Sequence, residues 1–254
     1  MPQSNSLSII IIALNEEKDI EACLESVKNL SDDIVLVDSG STDRTVELAK
    51  KFTSKIFHHV WTGYGPQKQF ALEKTAGSWV LNIDADERVT PELAEEIKRS
   101  LNEKEEKKSG FLIPFKHIFL GHELRFGGCG GERHLRLFQK EKSVYGQTVV
   151  HEGISVQGEI GSLKNHIVHF SYHNIEDYLK KCNGYTSLIA KQKWEKGQRF
   201  YIWHHFRLPF EFLKRYFFKM GLLDGSSGFI YALLSSYYVW LKFIKLKDLE
   251  EHRS

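Results

Sequence analysis

The chain has few of the features that mark secreted, nucleic-acid-binding or membrane-spanning proteins. Its three cysteines are odd in number and lack metal-ligand spacing, so a reducing cytosol is the simplest setting. A formal net charge of only +2 gives no electrostatic reason to expect nucleic acid as a partner. The N-terminus lacks a basic stretch followed by an apolar core and a cleavage site, so secretion is not expected. The longest apolar stretch, residues 229–241, is shorter than the roughly 20 residues that a bilayer requires.

The composition, 41% hydrophobic and 27% charged, is that of a folded globular protein with a substantial core. Short β-branched runs alternate with helical patterns in the first hundred residues, which predicts parallel strands joined by helices. The predicted strands are 7–14, 34–37, 55–60 and 78–83. The first and third predicted helices are 15–29 and 67–74. The second helix carries Val46, Ala49 and Phe52, and the fourth starts at Pro91. The expected fold class is α/β, a Rossmann-like and mostly parallel sheet with flanking helices.

The last third of the chain has a different pattern, with a predicted helix at 175–194 and two more within 206–249. We therefore expect a nucleotide-binding and catalytic domain over 1–172 and a helical region over 173–254. Aromatic and basic residues alternate in this region, which is typical of helices that lie in a membrane interface. The same helices could instead pack on the core or on a second copy of the chain, so the sequence leaves a homodimer open.

Acidic and amide side chains follow three of the predicted strands. Asp84 and Asp86 end the fourth strand, Asp38 ends the second, and Asn15 and Glu16 follow the first. Ligands of parallel α/β sheets bind beyond the carboxyl ends of the strands, but an acidic set needs a bridging cation to hold a diphosphate. The pattern predicts Mg²⁺ or Mn²⁺ at a nucleotide-sugar site.

Roles follow from the positions of these carboxylates. Asp86, nearest the loop, is the expected direct metal ligand, and Asp84 is expected to bind the metal or to face the ribose or sugar. Asp38 could accept a hydrogen bond from a base or ribose, or could form the turn after its strand. Among the 12 histidines, His169 is a candidate metal or phosphate contact.

Three segments resemble family 2 glycosyltransferases with the inverting GT-A fold. They are residues 10–17 (IIIALNEE), 35–45 (VLVDSGSTDRT) and 81–87 (LNIDADE), in matching order and spacing. Residues 61–68 (WTGYGPQK) and 135–138 (LRLF) resemble a subgroup of lipopolysaccharide core glucosyltransferases that add glucose to inner-core heptose. The resemblance implies a metal-dependent hexosyltransferase that uses a UDP-sugar and a lipid-linked saccharide acceptor.

The resemblance also implies roles for further residues. Asn15 and Glu16 would line the nucleoside pocket, and Asp38 would contact the base. Lys68 would contact the diphosphate, although a solvated helix residue is the equal alternative. Asp84 and Asp86 would hold the metal and the phosphates.

Inverting transfer also needs a base that takes the proton of the acceptor hydroxyl. Glu132 stands where the family places its base, although Arg133 follows it here instead of the usual aspartate. Glu152, which ends an apolar run, is the rival. Arg133 and Arg136 could pair with phosphate or orient the base.

The sequence thus predicts a cytoplasmic enzyme that is peripherally associated with the inner membrane. Two alternatives remain. A polyprenyl-phosphate sugar synthase would share the donor site but would use an anionic acceptor that needs no base. A non-catalytic nucleotide-binding protein would retain only a degenerate donor pocket.

Overall fold

The computed structural model describes residues 6–102, 108–146 and 153–252. The chain forms two compact units. The first unit comprises residues up to Phe115 together with Glu132–His169. The second unit comprises Lys116–Gly131 and the chain from Phe170 onwards.

The described strands are β1 (Leu7–Ala13), β2 (Asp33–Asp38), β3 (Ile56–His58), β4 (Trp79–Asp84), β5 (Glu87–Val89), β6 (Lys108–Phe119), β7 (His122–Leu124), β8 (Arg133–Gln139), β9 (Ser143–Tyr145), β10 (Ile154–Val156), β11 (Glu159–Ser162) and β12 (Ile167–Tyr172). The described α-helices are α1 (Ile20–Val27), α2 (Thr45–Ala49), α3 (Tyr64–Glu73), α4 (Pro91–Asn102), α5 (Ile175–Glu195), α6 (Arg207–Leu213) and α7 (Gly225–Glu251).

The first unit is built on a sheet in which β3, β2, β1 and β4 are neighbours and run parallel. β8 then pairs antiparallel with β4 and with β6. β1 is apolar almost throughout because both of its faces are covered, as expected for a central strand of a parallel sheet. The predicted α/β architecture with a mostly parallel sheet is therefore confirmed.

Alternate residues of β1 enter two hydrophobic clusters. Ile9 and Ile11 join the cluster that contains α1 and α4, and Ile10 and Ile12 join the cluster that contains residues of α3. Each fully buried side chain of this size contributes about 1.5–3 kcal/mol of transfer free energy. The sheet is thus a rigid base for the residues that follow its strands.

The predicted bounds of the early elements differ from the observed ones in one instructive case. Residues 15–29 were expected to be helical with Asn15 as the cap, but α1 begins at Ile20 and Asp19 occupies its N-cap position. Asn15 has a left-handed backbone with φ of 57°, and its side-chain oxygen accepts a hydrogen bond from the Thr42 amide. That long-range contact replaces the local cap.

The second unit contains the expected C-terminal helices. α5 and α7 pack together, and the Tyr178 hydroxyl donates a 2.6 Å hydrogen bond to the Leu234 carbonyl. Residues 116–131 belong to this unit, although the sequence placed them in the domain ending at residue 172. The Asp224 carboxylate explains this grouping because it accepts hydrogen bonds from the amides of Arg125 and Phe126.

One described helix, residues 221–251, is long and apolar enough to cross a membrane by length and composition alone. This differs from the expectation based on residues 229–241, because the helical stretch is longer than that apolar run. Only 22% of its most apolar 18-residue stretch is buried inside the protein.

Candidate active site

The ends of three neighbouring strands lie together at one edge of the sheet. In the register of the first unit, Ala13 at the end of β1 pairs with Asp38 of β2, and Ile12 pairs with Asp84 of β4. The polar residues that follow these strands therefore share one surface, as their positions in the sequence predicted.

Asn15 and Glu16 connect the loop after β1 to the loop after β2 through hydrogen bonds. The Asn15 amide donates to the Ser41 hydroxyl at 2.9 Å, and the Asn15 side-chain oxygen accepts from the Thr42 amide at 2.8 Å. The Glu16 amide donates to the Thr45 hydroxyl at 2.8 Å. Asn15 is exposed and Glu16 is half-buried, so both border the edge while their backbone shapes it.

Asp38 forms the turn after β2. It is buried, and its Oδ2 accepts hydrogen bonds from the amides of Gly40 at 2.9 Å and Ser41 at 3.0 Å. Gly40 has φ of 102°, which favours glycine. The turn-forming alternative is present in the structure, and a contact from Asp38 to a base or ribose stays a prediction.

Asp84 lies between two cationic side chains. Its Oδ1 accepts from the Lys68 ammonium and its Oδ2 accepts from the Arg136 guanidinium, each at 2.8 Å. Burial raises the pKa of Asp84, but the charges of Arg136 and Lys68 outweigh burial and place the pKa well below its usual value. The two hydrogen bonds orient the Asp84 carboxylate and favour its ionised form.

Lys68 is fully buried on α3, which excludes the alternative of a solvated helix residue. A lysine is buried in this way when its charge is paired. Its expected contact with a diphosphate stays a prediction, because the ammonium group already donates to Asp84.

Glu87, which the sequence did not single out, is the innermost acid of the group. It accepts from the Arg136 guanidinium at 2.6 Å and from the Asp84 amide at 2.9 Å. Burial raises the pKa of Glu87 to about 8, and the neighbouring charge of Asp84 acts in the same direction. Its position directly after Asp86 was the signal that could have identified it.

Asp86 faces a histidine from another strand. β5 pairs antiparallel with β12, with His169 opposite Glu87, and the Nε2 atom of His169 lies 3.4 Å from Oδ2 of Asp86. Burial lowers the pKa of His169, but the hydrogen bond and charge of Asp86 outweigh it and raise the pKa above its usual value. The structure thus brings together the predicted metal ligand and the histidine singled out in the sequence.

This pair fits a divalent cation. A carboxylate and an imidazole are ligands that Mn²⁺ accepts, and Mg²⁺ also accepts the carboxylate. Within the described ranges, no group of three or more His, Cys, Asp or Glu side chains is arranged to hold a metal. Two protein ligands would leave coordination positions for diphosphate oxygens.

Phe115 lies between His169 and the segment that carries the candidate base. Its buried ring contacts the His134 ring edge-on at 4.8 Å and the His169 ring at 6.3 Å. The Phe115 amide donates to the Glu132 carbonyl at 3.0 Å. The Glu132 carboxylate is partly exposed and lies 3.7 Å from Nε2 of His134.

The two arginines near Glu132 differ in their contacts. The buried Arg136 guanidinium lies 5.3 Å from the centre of the Phe115 ring and also binds Asp84, as described above. Arg133 points elsewhere, because its guanidinium donates to the Leu163 carbonyl at 2.9 Å and to the Ser162 hydroxyl. Glu152, the rival base, lies outside the described residues.

Gln67 is a second buried polar residue that the sequence did not single out. Its amide nitrogen donates to the Ser39 hydroxyl and to the His59 carbonyl, each at 2.9 Å, and its oxygen lies 2.6 Å from Nδ1 of His59. The His59 ring stacks on Phe70 at 4.2 Å. These contacts hold α3 against the end of β2. The only sequence signal was its place in the segment 61–68.

The mostly parallel sheet with its acidic edge fits the predicted GT-A fold class. Residues 8–112 match the family model of glycosyl transferase family 2. The lipopolysaccharide core biosynthesis glycosyltransferase LpsC of Rhizobium meliloti (strain 1021) is 34% identical, over 94% of this chain and 91% of its own length. The chain belongs to glycosyl transferase family 2.

Other proteins are also similar to this chain. An uncharacterized glycosyltransferase of Rickettsia typhi is 31% identical, over 96% of this chain and 87% of its own length. Among solved structures, glucosyl-3-phosphoglycerate synthase from Mycobacterium tuberculosis, in complex with Mn²⁺ and UDP-glucose, is 18% identical with a TM-score of 0.49, covering 76% of this chain and 80% of that chain. Staphylococcus aureus TarS 1-349 is 16% identical with a TM-score of 0.48, covering 98% and 92%.

Proposed function

We propose that this glycosyltransferase moves a hexose, glucose, from a UDP-sugar to a hydroxyl of a lipid-linked saccharide, with inversion of the anomeric centre. The lipopolysaccharide inner core is the proposed acceptor class, supported by the similarity to LpsC over most of both chains. The enzyme would work in the cytoplasm, peripherally associated with the inner membrane. The observation that carries the proposal is the 3.4 Å approach of Asp86 and His169 at the acidic edge of the sheet.

Mg²⁺ or Mn²⁺ held by Asp86 and His169 would neutralise the negative charge that develops on the departing nucleoside diphosphate. Asp84 was predicted as a second ligand. Both of its oxygens already accept hydrogen bonds, from Lys68 and Arg136, which favours its other predicted role. We assign Asp84 to the ribose or the sugar, where a fixed, ionised carboxylate can accept hydrogen bonds from hydroxyl groups.

Glu132 is the proposed base. As the acceptor hydroxyl attacks the anomeric carbon, Glu132 takes its proton, the new carbon–oxygen bond forms, and the bond to the diphosphate oxygen breaks. Its partly exposed carboxylate is accessible to an acceptor, and its backbone is fixed by Phe115, whose ring also contacts His169. Glu152 remains the rival, as the sequence left it.

Asn15, Glu16 and Asp38 are the proposed nucleoside contacts. All three border the ends of β1 and β2, at the edge that also carries Asp84. Their loops are tied to each other by the hydrogen bonds to Ser41 and Thr42, so the pocket would be preformed. A preformed pocket lowers the ordering cost of binding.

A donor screen with the purified protein tests the reaction. UDP-glucose, UDP-galactose, UDP-N-acetylglucosamine and GDP-mannose are compared for hydrolysis with and without Mn²⁺, and we expect metal-dependent cleavage that is fastest with UDP-glucose. A cleavage rate that does not change with added Mn²⁺ or after chelation would contradict the proposed metal role.

Substitutions test the assigned residues with two readouts. Asp86→Ala is expected to weaken the Mn²⁺-dependent binding of UDP by at least about tenfold in calorimetry and to remove transfer.

Glu132→Gln is expected to lower transfer by about 10²–10⁴-fold and to leave UDP binding unchanged. Glu141→Gln, an exposed carboxylate of the same unit, is the matched control. If the Glu132→Gln and Glu152→Gln variants both keep full turnover, the acceptor is an anionic lipid phosphate instead.

A further inference from the structure

The second unit carries a concentration of exposed apolar side chains. Fourteen of the 21 exposed large hydrophobic side chains in the described part of the chain lie between residues 201 and 233. We call this set the aromatic surface: Tyr201, Ile202, Trp203, Phe206, Phe210, Leu213, Phe217, Phe218, Met220, Leu222, Leu223, Phe229, Ile230 and Leu233. Clustered exposure of this kind marks a binding surface, whereas single exposed apolar residues need no explanation.

The most exposed members are large. Phe218 is 84% exposed, Ile202 is 71% exposed and Phe206 is 69% exposed. Ile202 and Phe206 lie on the 3-10 helix Ile202–Phe206, and Phe218 ends the π-helical turn Lys214–Phe218. Other members of the surface lie on α6 and on the first turns of α7. Aromatic side chains on short helices are well suited to the interface between lipid headgroups and acyl chains.

The Lys and Arg side chains of this surface outnumber its acidic ones. Residues 201–233 include four basic side chains, Arg207, Lys214, Arg215 and Lys219, and two acidic side chains, Glu211 and Asp224. Glu211 lies 3.6 Å from Lys214 and 3.9 Å from Arg215, so its charge is locally compensated. A second copy of the chain would bring like charges together at a symmetric interface, whereas anionic lipid complements them.

The helical stretch 221–251, which contains α7, meets the length and composition of a membrane-spanning helix, but the contacts of α7 argue against that role. It packs along α5, and the Lys245 ammonium donates to the Asn183 carbonyl at 2.6 Å and to the Ser187 hydroxyl at 2.8 Å. α5 carries acidic and basic side chains along its length, including Asp177 and Lys191. A bilayer around α7 would also surround these charges, at a high cost.

We infer that the aromatic surface docks in the plane of an anionic lipid bilayer, with its aromatic side chains at the headgroup boundary and its basic side chains on the lipid phosphates. The contact is interfacial, and α7 stays packed on α5. It deepens the proposed function, since it rests on a lipid-linked acceptor, but its test uses neither donor nor acceptor, so the two can fail separately.

Vesicle flotation with the full chain tests the docking. The protein is mixed with phosphatidylcholine vesicles that contain or lack phosphatidylglycerol, and we expect it to float only with the anionic vesicles. Extraction at alkaline pH is expected to release it, because no helix crosses the bilayer. Resistance to extraction would overturn the in-plane contact.

Variants locate the contact. A triple variant, Trp203→Ser, Phe206→Ser and Phe218→Ser, is expected to lower binding to anionic vesicles at least tenfold. The matched control replaces two exposed valines of the first unit, Val60→Ser and Val144→Ser, and is expected to bind like the wild type. Circular dichroism and the unfolding midpoint verify that each variant is folded.

Lys214→Gln provides a milder test that does not alter the apolar side chains. We expect about a fivefold loss of binding to anionic vesicles, the equivalent of one basic charge near the surface. Wild-type protein that remains unbound with both vesicle types would overturn the proposal. A soluble oligomer that the triple variant dissociates, without vesicle binding, would assign the surface to a second copy of the chain instead.

Discussion

At the scale of single residues, Arg88 fixes the backbone on both sides of Asp86. Its guanidinium donates to the carbonyls of Ala85 and Glu87, each at 2.9 Å, and to the Asp19 carboxylate at 2.7 Å. The Asp19 and Arg88 side chains are both largely buried. The strand end is thereby tied to the N-terminus of α1, which keeps Asp86 in place opposite His169.

Arg88→Met is expected to destabilise the fold by about 3 kcal/mol, because it removes a cation that pairs with the buried Asp19 carboxylate. Urea unfolding measures this loss. We also expect weaker Mn²⁺-dependent UDP binding in calorimetry, since Asp86 loses its backbone support.

Arg44→Met is the matched control, because Arg44 pairs with Glu47 on the surface and both side chains are mostly exposed. Its unfolding midpoint should stay close to that of the wild type. Equal losses in the two variants would show that the buried pair has no special role.

At the scale of elements, Asp33 connects the start of β2 to the starts of β1, β3 and β4. This end of the sheet lies away from the site. Its carboxylate accepts from the Ser8 hydroxyl, the Lys55 ammonium and the Ala76 amide. Burial raises the pKa of Asp33, but the hydrogen bonds from Lys55, Ser8 and Ala76 outweigh burial and lower the pKa below its usual value.

A lowered carboxyl pKa stabilises the fold above the unfolded-state value of about 3.9, and this contribution is lost as the pH falls through the folded-state pKa. Asp33→Asn is therefore expected to cost about 1 kcal/mol at pH 7 and to differ little from the wild type at pH 2. Urea unfolding at both pH values tests this, with the exposed Asp32→Asn as control. A difference that grows on acidification would reverse the assigned sign.

Replacing two helix glycines by alanine is expected to change the free energy of unfolding in opposite directions. A Cβ on Gly228 of α7 would lie 1.9 Å from the Gly221 carbonyl oxygen, whereas one on Gly184 of α5 would meet nothing within 4 Å. Gly228→Ala is expected to cost about 1–3 kcal/mol through overpacking. Gly184→Ala is expected to stabilise by about 0.5–1 kcal/mol through helix propensity. Thermal unfolding of both variants measures the contrast, and destabilisation by both would contradict the assigned contacts.

At the scale of the whole molecule, docking and catalysis should be linked only for membrane-bound acceptors. Anionic vesicles that carry a lipid-linked acceptor are expected to raise the transfer rate by on the order of tenfold over neutral vesicles, because docking raises the effective acceptor concentration. Hydrolysis of the sugar nucleotide without acceptor should stay constant. An equal increase in hydrolysis would indicate a direct effect of lipid on the donor site instead.

The sequence by itself determined the sheet, because apolar β-branched runs such as β1 alternate with helical patterns, as they do in parallel α/β folds. It also determined that Asn15, Asp38 and Asp84 gather at one edge, since parallel strands end on the same side. These features follow from local patterns of neighbouring residues, which can be recognised in the sequence alone.

Only the tertiary structure decided the partners of these residues. Lys68 and Arg136 reach Asp84 from a helix and from an antiparallel strand, and His169 reaches Asp86 from β12. Such pairings depend on strand register and helix packing between distant segments, and so does the grouping of residues 116–131 with the helices. The physical reason is that charge pairing and burial are properties of neighbours in space, which a linear pattern does not specify.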